Sequence, residues 1–125
     1  MIKIAFATAT FLVAACTSAF ADSKVWNVTE QSASGIKSAQ GTWTVNTDSA
    51  NKVTGSANMQ FDNGNTLTYA LEGAVAENVY TLRFGKRTDG KNGCVWTGHP
   101  QTDGKPVLRG EVKCDGSTFQ ITAGT

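Results

Sequence analysis

Two cysteines, Cys94 and Cys114, each stand ten residues from Gly104, and no other feature constrains the fold of this chain as strongly. Asp103-Gly104 has the chemistry of a tight turn. A hairpin with its tip there sets the two cysteines face to face, where side chains on neighbouring strands have Cβ atoms about 4.5–5.5 Å apart, close enough for a disulfide. The alternative use of two cysteines, a metal site, fits poorly: they are not spaced as a C-x-x-C hook, and His99 is the one histidine of the sequence. No cofactor or metal is expected. A structural disulfide belongs to an oxidising compartment.

The start of the chain agrees. Lys3 precedes a 12-residue apolar run from Ile4 to Ala15, and Ala19-Phe20-Ala21 matches the small-x-small rule for signal cleavage before Asp22. A transmembrane helix needs about 20 apolar residues. Residues 1–21 therefore read as a signal peptide and 22–125 as a single mature domain, periplasmic or secreted in a bacterial setting. Val13-Ala14-Ala15-Cys16 offers a competing site, since it resembles a lipobox. Lipidation at Cys16 would make the chain an outer-membrane lipoprotein, and only then a membrane partner. Either cut leaves Cys94 and Cys114 to pair.

With Lys3 removed the mature chain has ten basic and ten acidic residues, a balance unlike that of a nucleic-acid or general membrane binder. Its distribution is uneven. Residues 22–77 hold three basic and six acidic groups, and 78–125 hold seven basic and four acidic, so an electrostatic partner site belongs in the second half.

No part of the mature chain keeps a helical period, whereas period-two alternation recurs between Gly, Asn and Asp clusters. It predicts strands over Val25 to Thr29, Thr42 to Asn46, Val53 to Phe61, Thr66 to Gly73, Val79 to Phe84, Cys94 to Gly98, Val107 to Cys114 and Thr118 to Thr122. Glu30 to Gln40 is the one long connection, where a short helical turn fits. The parity of apolar positions then fixes the neighbours. Trp43, Val45, Met59, Phe61, Leu67 and Tyr69 are odd, which calls for an odd loop centred on Gly64, with Phe61 opposite Leu67, Met59 opposite Tyr69 and Gly55 opposite Gly73. At Glu77-Asn78 the parity changes through a two-residue turn that sets Val75 against Tyr80. Even parity continues through Cys94, Trp96, Leu108 and Val112, pairing Gly98 with Gly110, and flips at Asp115-Gly116-Ser117 so that Phe119 and Ile121 point inward.

Turn chemistry and strand parity agree throughout, which is the mark of one meander. Eight antiparallel strands in about 100 residues leave exposed edges unless they close. An all-β up-and-down barrel is the expected architecture, with a two-sheet sandwich as the alternative. Gly41-Thr42-Trp43 near the start of the meander resembles the G-x-W signature of calycin barrels, the lipocalin and avidin superfamily. The resemblance covers these few residues, and it implies a barrel that holds small ligands. It extends neither to an avidin-type set of polar contact residues nor to the helix that follows a lipocalin barrel.

Hydrolytic catalysis requires a nucleophile, a base and an orienting group, and His99 lies in a hairpin beside Arg109 with no serine or free cysteine at an elbow. Paired carboxylates must converge in a cleft, but Asp48, Asp62, Glu77, Asp89, Asp103 and Asp115 flank or occupy turns, where Asp caps backbone groups. The chain is therefore expected not to be an enzyme. Trp26, Trp43, Trp96, Tyr69, Tyr80, Phe61, Phe84 and Phe119 fall mostly on inward phases and fill the core, or one or two of them line a pocket at a barrel mouth.

The strand register places Arg83, Val95 and Lys113 in one outward row, and the adjacent loop adds Lys86, Arg87 and Lys91. These five cations form the expected partner-binding face, suited to an acidic protein or an anionic envelope polymer. The alternative is that they are solvated charges that discourage aggregation. Binding then belongs to the opposite mouth, around Glu77, Asn78, His99 and Gln101.

Overall fold

In the computed structural model, which describes residues 22–125, alternating apolar and polar residues form eight strands. They are β1 (Asp22–Ser32), β2 (Lys37–Thr47), β3 (Lys52–Phe61), β4 (Thr66–Ala76), β5 (Val79–Phe84), β6 (Val95–Pro100), β7 (Val107–Cys114) and β8 (Ser117–Gly124). Each pairs antiparallel with its chain neighbour, and β1 pairs with β8, so the sheet closes into a barrel. Closure removes the edges that an open sheet or sandwich leaves exposed. The signal segment, both cleavage motifs and Cys16 lie outside the described residues.

Inward positions carry Trp43, Trp96, Met59, Leu67, Leu82 and Ile121, all fully buried. Outward positions are mostly polar, with Val25 and Val95 among the exceptions: Asn27, Thr42, Asn58 and Thr68 form one row across β1 to β4. This polarity is the reverse of barrels that span membranes, whose outward face carries an apolar band. The aromatic rings run through the interior as a chain of edge-on contacts, with Trp43 meeting Trp96 at 5.1 Å, Phe84 at 5.7 Å and Tyr69 at 6.4 Å between centroids. The Trp43 Nε1–H donates to the Tyr69 hydroxyl at 3.1 Å, and Trp96 Nε1–H donates to the Gly110 and Ile121 carbonyls. Trp43 is thus the central plug that its phase and the G-x-W resemblance imply.

The expected hairpin centred on Gly104 is present: Trp96 pairs with Val112 and His99 with Arg109, and Cys94 is bonded to Cys114. The same register sets Gly98 opposite Gly110. A Cβ on Gly98 would run into the Trp96 indole, and one on Gly110 into the Thr97 carbonyl oxygen, so both positions require the close approach only glycine allows. Val75 faces Tyr80 across the Glu77-Asn78 turn, as its parity requires.

Two expectations are corrected. Glu30 to Gln40 is not a long connection with a helical turn; β1 and β2 continue through it to a short loop at residues 33–36, with a register shift between Glu30 and Gln31. In the β3–β4 hairpin, Met59 faces Leu67, Ala57 faces Tyr69 and Gly55 faces Leu71, two residues from the expected register, so Gly55 and Gly73 are not opposite. The cause is the loop centre. The Phe61 N–H donates to the Asn65 carbonyl and the Gly64 N–H to the Phe61 carbonyl, which makes a three-residue loop of Asp62, Asn63 and Gly64 with Gly64 at φ 92°. That is a turn closed by a left-handed residue, for which glycine is suited. An even shift preserves parity, so the inward set was unaffected.

Successive loops alternate between the two barrel ends. Residues 33–36, 62–65, 85–94 and 115–116 lie at the disulfide end, and residues 48–51, 77–78 and 101–106 lie at the other, with both termini of the described chain.

Candidate functional site

The disulfide end is closed by a buried charge cluster. β1 turns Trp26, Val28 and Glu30 inward, and Glu30 meets Arg87, which enters the barrel from the β5–β6 loop. Glu30 is 3% exposed and Arg87 2%. The guanidinium donates through Nη1 to Glu30 Oε1 at 3.1 Å and through Nη2 to Oε2 at 3.5 Å. It also donates through Nε and Nη2 to the two Asp89 carboxylate oxygens at 3.0 and 2.7 Å. Above and below it lie the rings of Tyr69 and Phe119, 5.1 and 5.0 Å from its central carbon, a geometry that favours a cation.

Burial opposes the Arg87 charge, but its hydrogen bonds to Asp89 and Glu30 prevail and raise its pKa. Burial likewise opposes ionisation of Asp89, yet the bonds from Arg87 and the Lys91 N–H outweigh it and lower the carboxylate's pKa. Burial also raises the pKa of Tyr69, against the weaker opposing effects of Trp43 and Arg87. With every guanidinium nitrogen engaged, the cluster is a plug.

This placement corrects the expected basic face. Arg83, Val95 and Lys113 do form one outward row, but Arg87 is inside the barrel and takes no part in it. The remaining cations sit beside carboxylates: Arg83 with Glu72 at 3.9 Å, Lys113 with Glu111 at 3.8 Å and Lys91 with Asp89 at 3.9 Å. Among the described residues, Lys86 is the member of the set with no such neighbour within 4 Å.

The opposite mouth is different. Two cavities of about 270 and 230 Å³ meet there, and Lys24, Trp26 and Tyr80 line both. Tyr80 stands edge-on to Trp26, with centroids 5.0 Å apart and planes at 87°, and burial raises its pKa. Pro106 and Leu108 complete one lobe; Val45 and Val75 complete the other. Lys24 reaches this position because it shares the inward phase of Trp26 and pairs with Val45. Lys105 adds a second cation, and among the side chains described from Ser23 on no Asp or Glu lines either lobe. Trp26 is 3% exposed, and its Nε1–H has no hydrogen-bond partner, alone among the buried side-chain polar atoms of the described residues.

Of the residues expected at this mouth, Asn78 lines a lobe, whereas Glu77, His99 and Gln101 do not. Lys24 is the lobe residue that sequence reasoning passed over, whereas Trp26 is among the rings expected to fill the core or line a mouth. Their shared parity in β1 was the available signal. A larger concavity of about 620 Å³ lies over Gly41, lined by residues such as Asn27, Thr42, Asn58 and Gln60. It is an open groove on the outer wall with neither a charged nor an aromatic side chain to hold a ligand.

Together the closed meander and its aromatic core define a small eight-stranded up-and-down β-barrel. A designed fluorescence-activating β-barrel is similar in fold, with a TM-score of 0.59 and 15% identity, covering 80% of this chain and 89% of that one. No protein-family model matches the chain, and no curated protein matches it.

Proposed function

We propose that this chain is an exported, non-catalytic binding module that seats a small ligand at the mouth lined by Trp26 and Tyr80. The observation that carries the reading is the asymmetry of the barrel ends. One end is plugged by Arg87, Glu30 and Asp89, while the other opens into two lobes that meet on a pair of aromatic rings. A concave, largely apolar site with a few convergent polar groups is the usual form of a small-molecule site. The interior below Trp43 is filled by side chains, so the ligand sits at the mouth and does not penetrate the barrel. Export is supported by the Cys94–Cys114 disulfide and by the leader-like residues 1–21. The similar designed barrel is described as fluorescence-activating; the present reading rests on the mouth of this chain and draws from that likeness only the architecture.

Calorimetric titration with two-ring aromatic probes tests the reading. Binding that is weakened by Tyr80→Ala and untouched by Lys86→Met, at the opposite end, is the expected result. Absence of binding at millimolar probe, or binding indifferent to Tyr80→Ala, would refute it.

A further inference from the structure

We infer that the mouth selects an anionic aromatic ligand, a planar ring system bearing a carboxylate or similar oxyanion, and that Lys24 confers the selection. This inference rests on the mouth being the binding site and adds the chemical class of what it takes.

Three features of the site point the same way. Lys24 is turned toward the barrel axis by the phase it shares with Trp26 and lines both lobes, and among the side chains described, which begin at Ser23, none forms an ion pair with it within 4 Å. Lys105 lines one of the lobes, and the lining side chains described include no acid. The nearby loop carboxylates are turned to their own backbone: Asp48 Oδ1 accepts the Ala50 and Lys52 N–H groups, and Asp103 Oδ1 accepts the Lys105 N–H. The charged side chains described along the two lobes are thus Lys24 and Lys105, and a concave site lined by one sign of charge concentrates the opposite ion.

The Trp26 indole supplies the second requirement. A buried N–H without a partner is destabilising, and a ligand that brings an acceptor to it relieves that cost. Trp26 and Tyr80 meet edge-on and both line the two lobes, an aromatic wall against which a flat ring system packs. A ring system with an attached oxyanion meets all three demands at once: stacking surface, a hydrogen-bond acceptor and a counter-charge for Lys24.

The test compares 2-naphthoate with 2-naphthamide, its neutral near-isostere, by isothermal titration calorimetry on the disulfide-bonded mature protein. Naphthoate is expected to bind about tenfold more tightly, equivalent to ~1.4 kcal/mol. Lys24→Met should remove that preference, so that this variant binds naphthoate and naphthamide equally, with its melting temperature nearly unchanged because an exposed lysine contributes little to the fold. Trp26→Phe should weaken naphthoate further, and added salt should erode the preference because exposed charges are screened over about 8 Å at physiological ionic strength. Equal binding of both probes, unchanged by Lys24→Met but weakened by Tyr80→Ala, would overturn the anion selectivity and leave the mouth as the site. A naphthoate preference that survives Lys24→Met but falls with Lys86→Met would overturn the inference by placing the anion at the other end. If neither probe binds, the reading of the mouth fails and this inference with it.

Discussion

Replacing Arg87 with Met should destabilise the barrel by about 3–5 kcal/mol, the cost of leaving one member of a buried ion pair without its partner. The structure sets the origin of that cost. Glu30 is 3% exposed, and once the guanidinium is gone its carboxylate keeps only the Ser38 hydroxyl, 3.4 Å from Oε2. Asp89, with a side chain 15% exposed, can turn to solvent and adds less. Met retains most of the apolar volume between the Tyr69 and Phe119 rings, so the loss reports charge and not a cavity. With an unfolding entropy of about 2.1 cal/mol/K per residue over the 104 residues from Asp22, this energy lowers the melting temperature by about 14–23 °C. A domain holding about 5–15 kcal/mol remains folded at room temperature over most of that range. Urea unfolding followed by circular dichroism, with an unchanged m-value as the check on two-state behaviour, reads the difference directly.

The companion variants separate charge burial from packing. Arg87→Met combined with Glu30→Leu removes the stranded carboxylate and should recover most of the loss, because apolar replacements of buried ion pairs are often neutral or better. Lys86→Met, one residue away but exposed, should fall within about 0.5 kcal/mol of the parent. The sequence alone treats Lys86 and Arg87 as equivalent loop cations whose loss is harmless. An Arg87→Met protein within about 1 kcal/mol of the parent, or a double variant no more stable than the single one, would refute the buried plug.

Trp43→Ala should cost about 3–5 kcal/mol in the same urea assay, as expected for truncating a fully buried large aromatic, and an unshifted midpoint would contradict its central place. Alkylation without reductant should label neither Cys94 nor Cys114, and reduction should remove about 3 kcal/mol by the loop-entropy estimate; labelling of both in the native protein would contradict the disulfide. Burial holds the folded-state pKa of Tyr69 and Tyr80 above the ordinary tyrosine value of about 10, so their contribution is intact below that pH and is lost as pH rises beyond it. Melting temperature should fall above about pH 10, less steeply in Tyr69→Phe. Asp89 has the opposite sign: its lowered pKa contributes above the ordinary carboxylate value of about 3.9 and is lost as pH falls below it, so Asp89→Asn should flatten the acid limb. Intact mass of protein made in a bacterial host should match a chain beginning at Asp22; a lipidated chain beginning at Cys16 would replace the signal-peptide assignment.

The fold was legible because strand parity is robust to the errors that sequence reading makes. Misplacing the β3–β4 loop centre by one residue moved the register by two, from Met59 opposite Tyr69 to Met59 opposite Leu67, and left every inward residue inward. The Cys94–Cys114 hairpin was readable for a further reason, since a symmetric pair about a single turn admits one register.

The sites resisted because their defining contacts are remote in sequence and invisible to parity within one strand. Arg87 and Glu30 are 57 residues apart, and a lone arginine in a loop between Lys86 and Asp89 carries no local mark of burial. Yet β1 alone holds the hint. Lys24, Trp26, Val28 and Glu30 share one phase, so the inward stripe of this strand carries a charge on either side of its apolar pair. The charge nearer the disulfide finds a partner of opposite sign inside the barrel and becomes a plug. Lys24, on the mouth side, has no carboxylate within 4 Å among the side chains described from Ser23 on and lines both lobes, which makes it the position where ligand charge and barrel stability are independent enough to be varied separately.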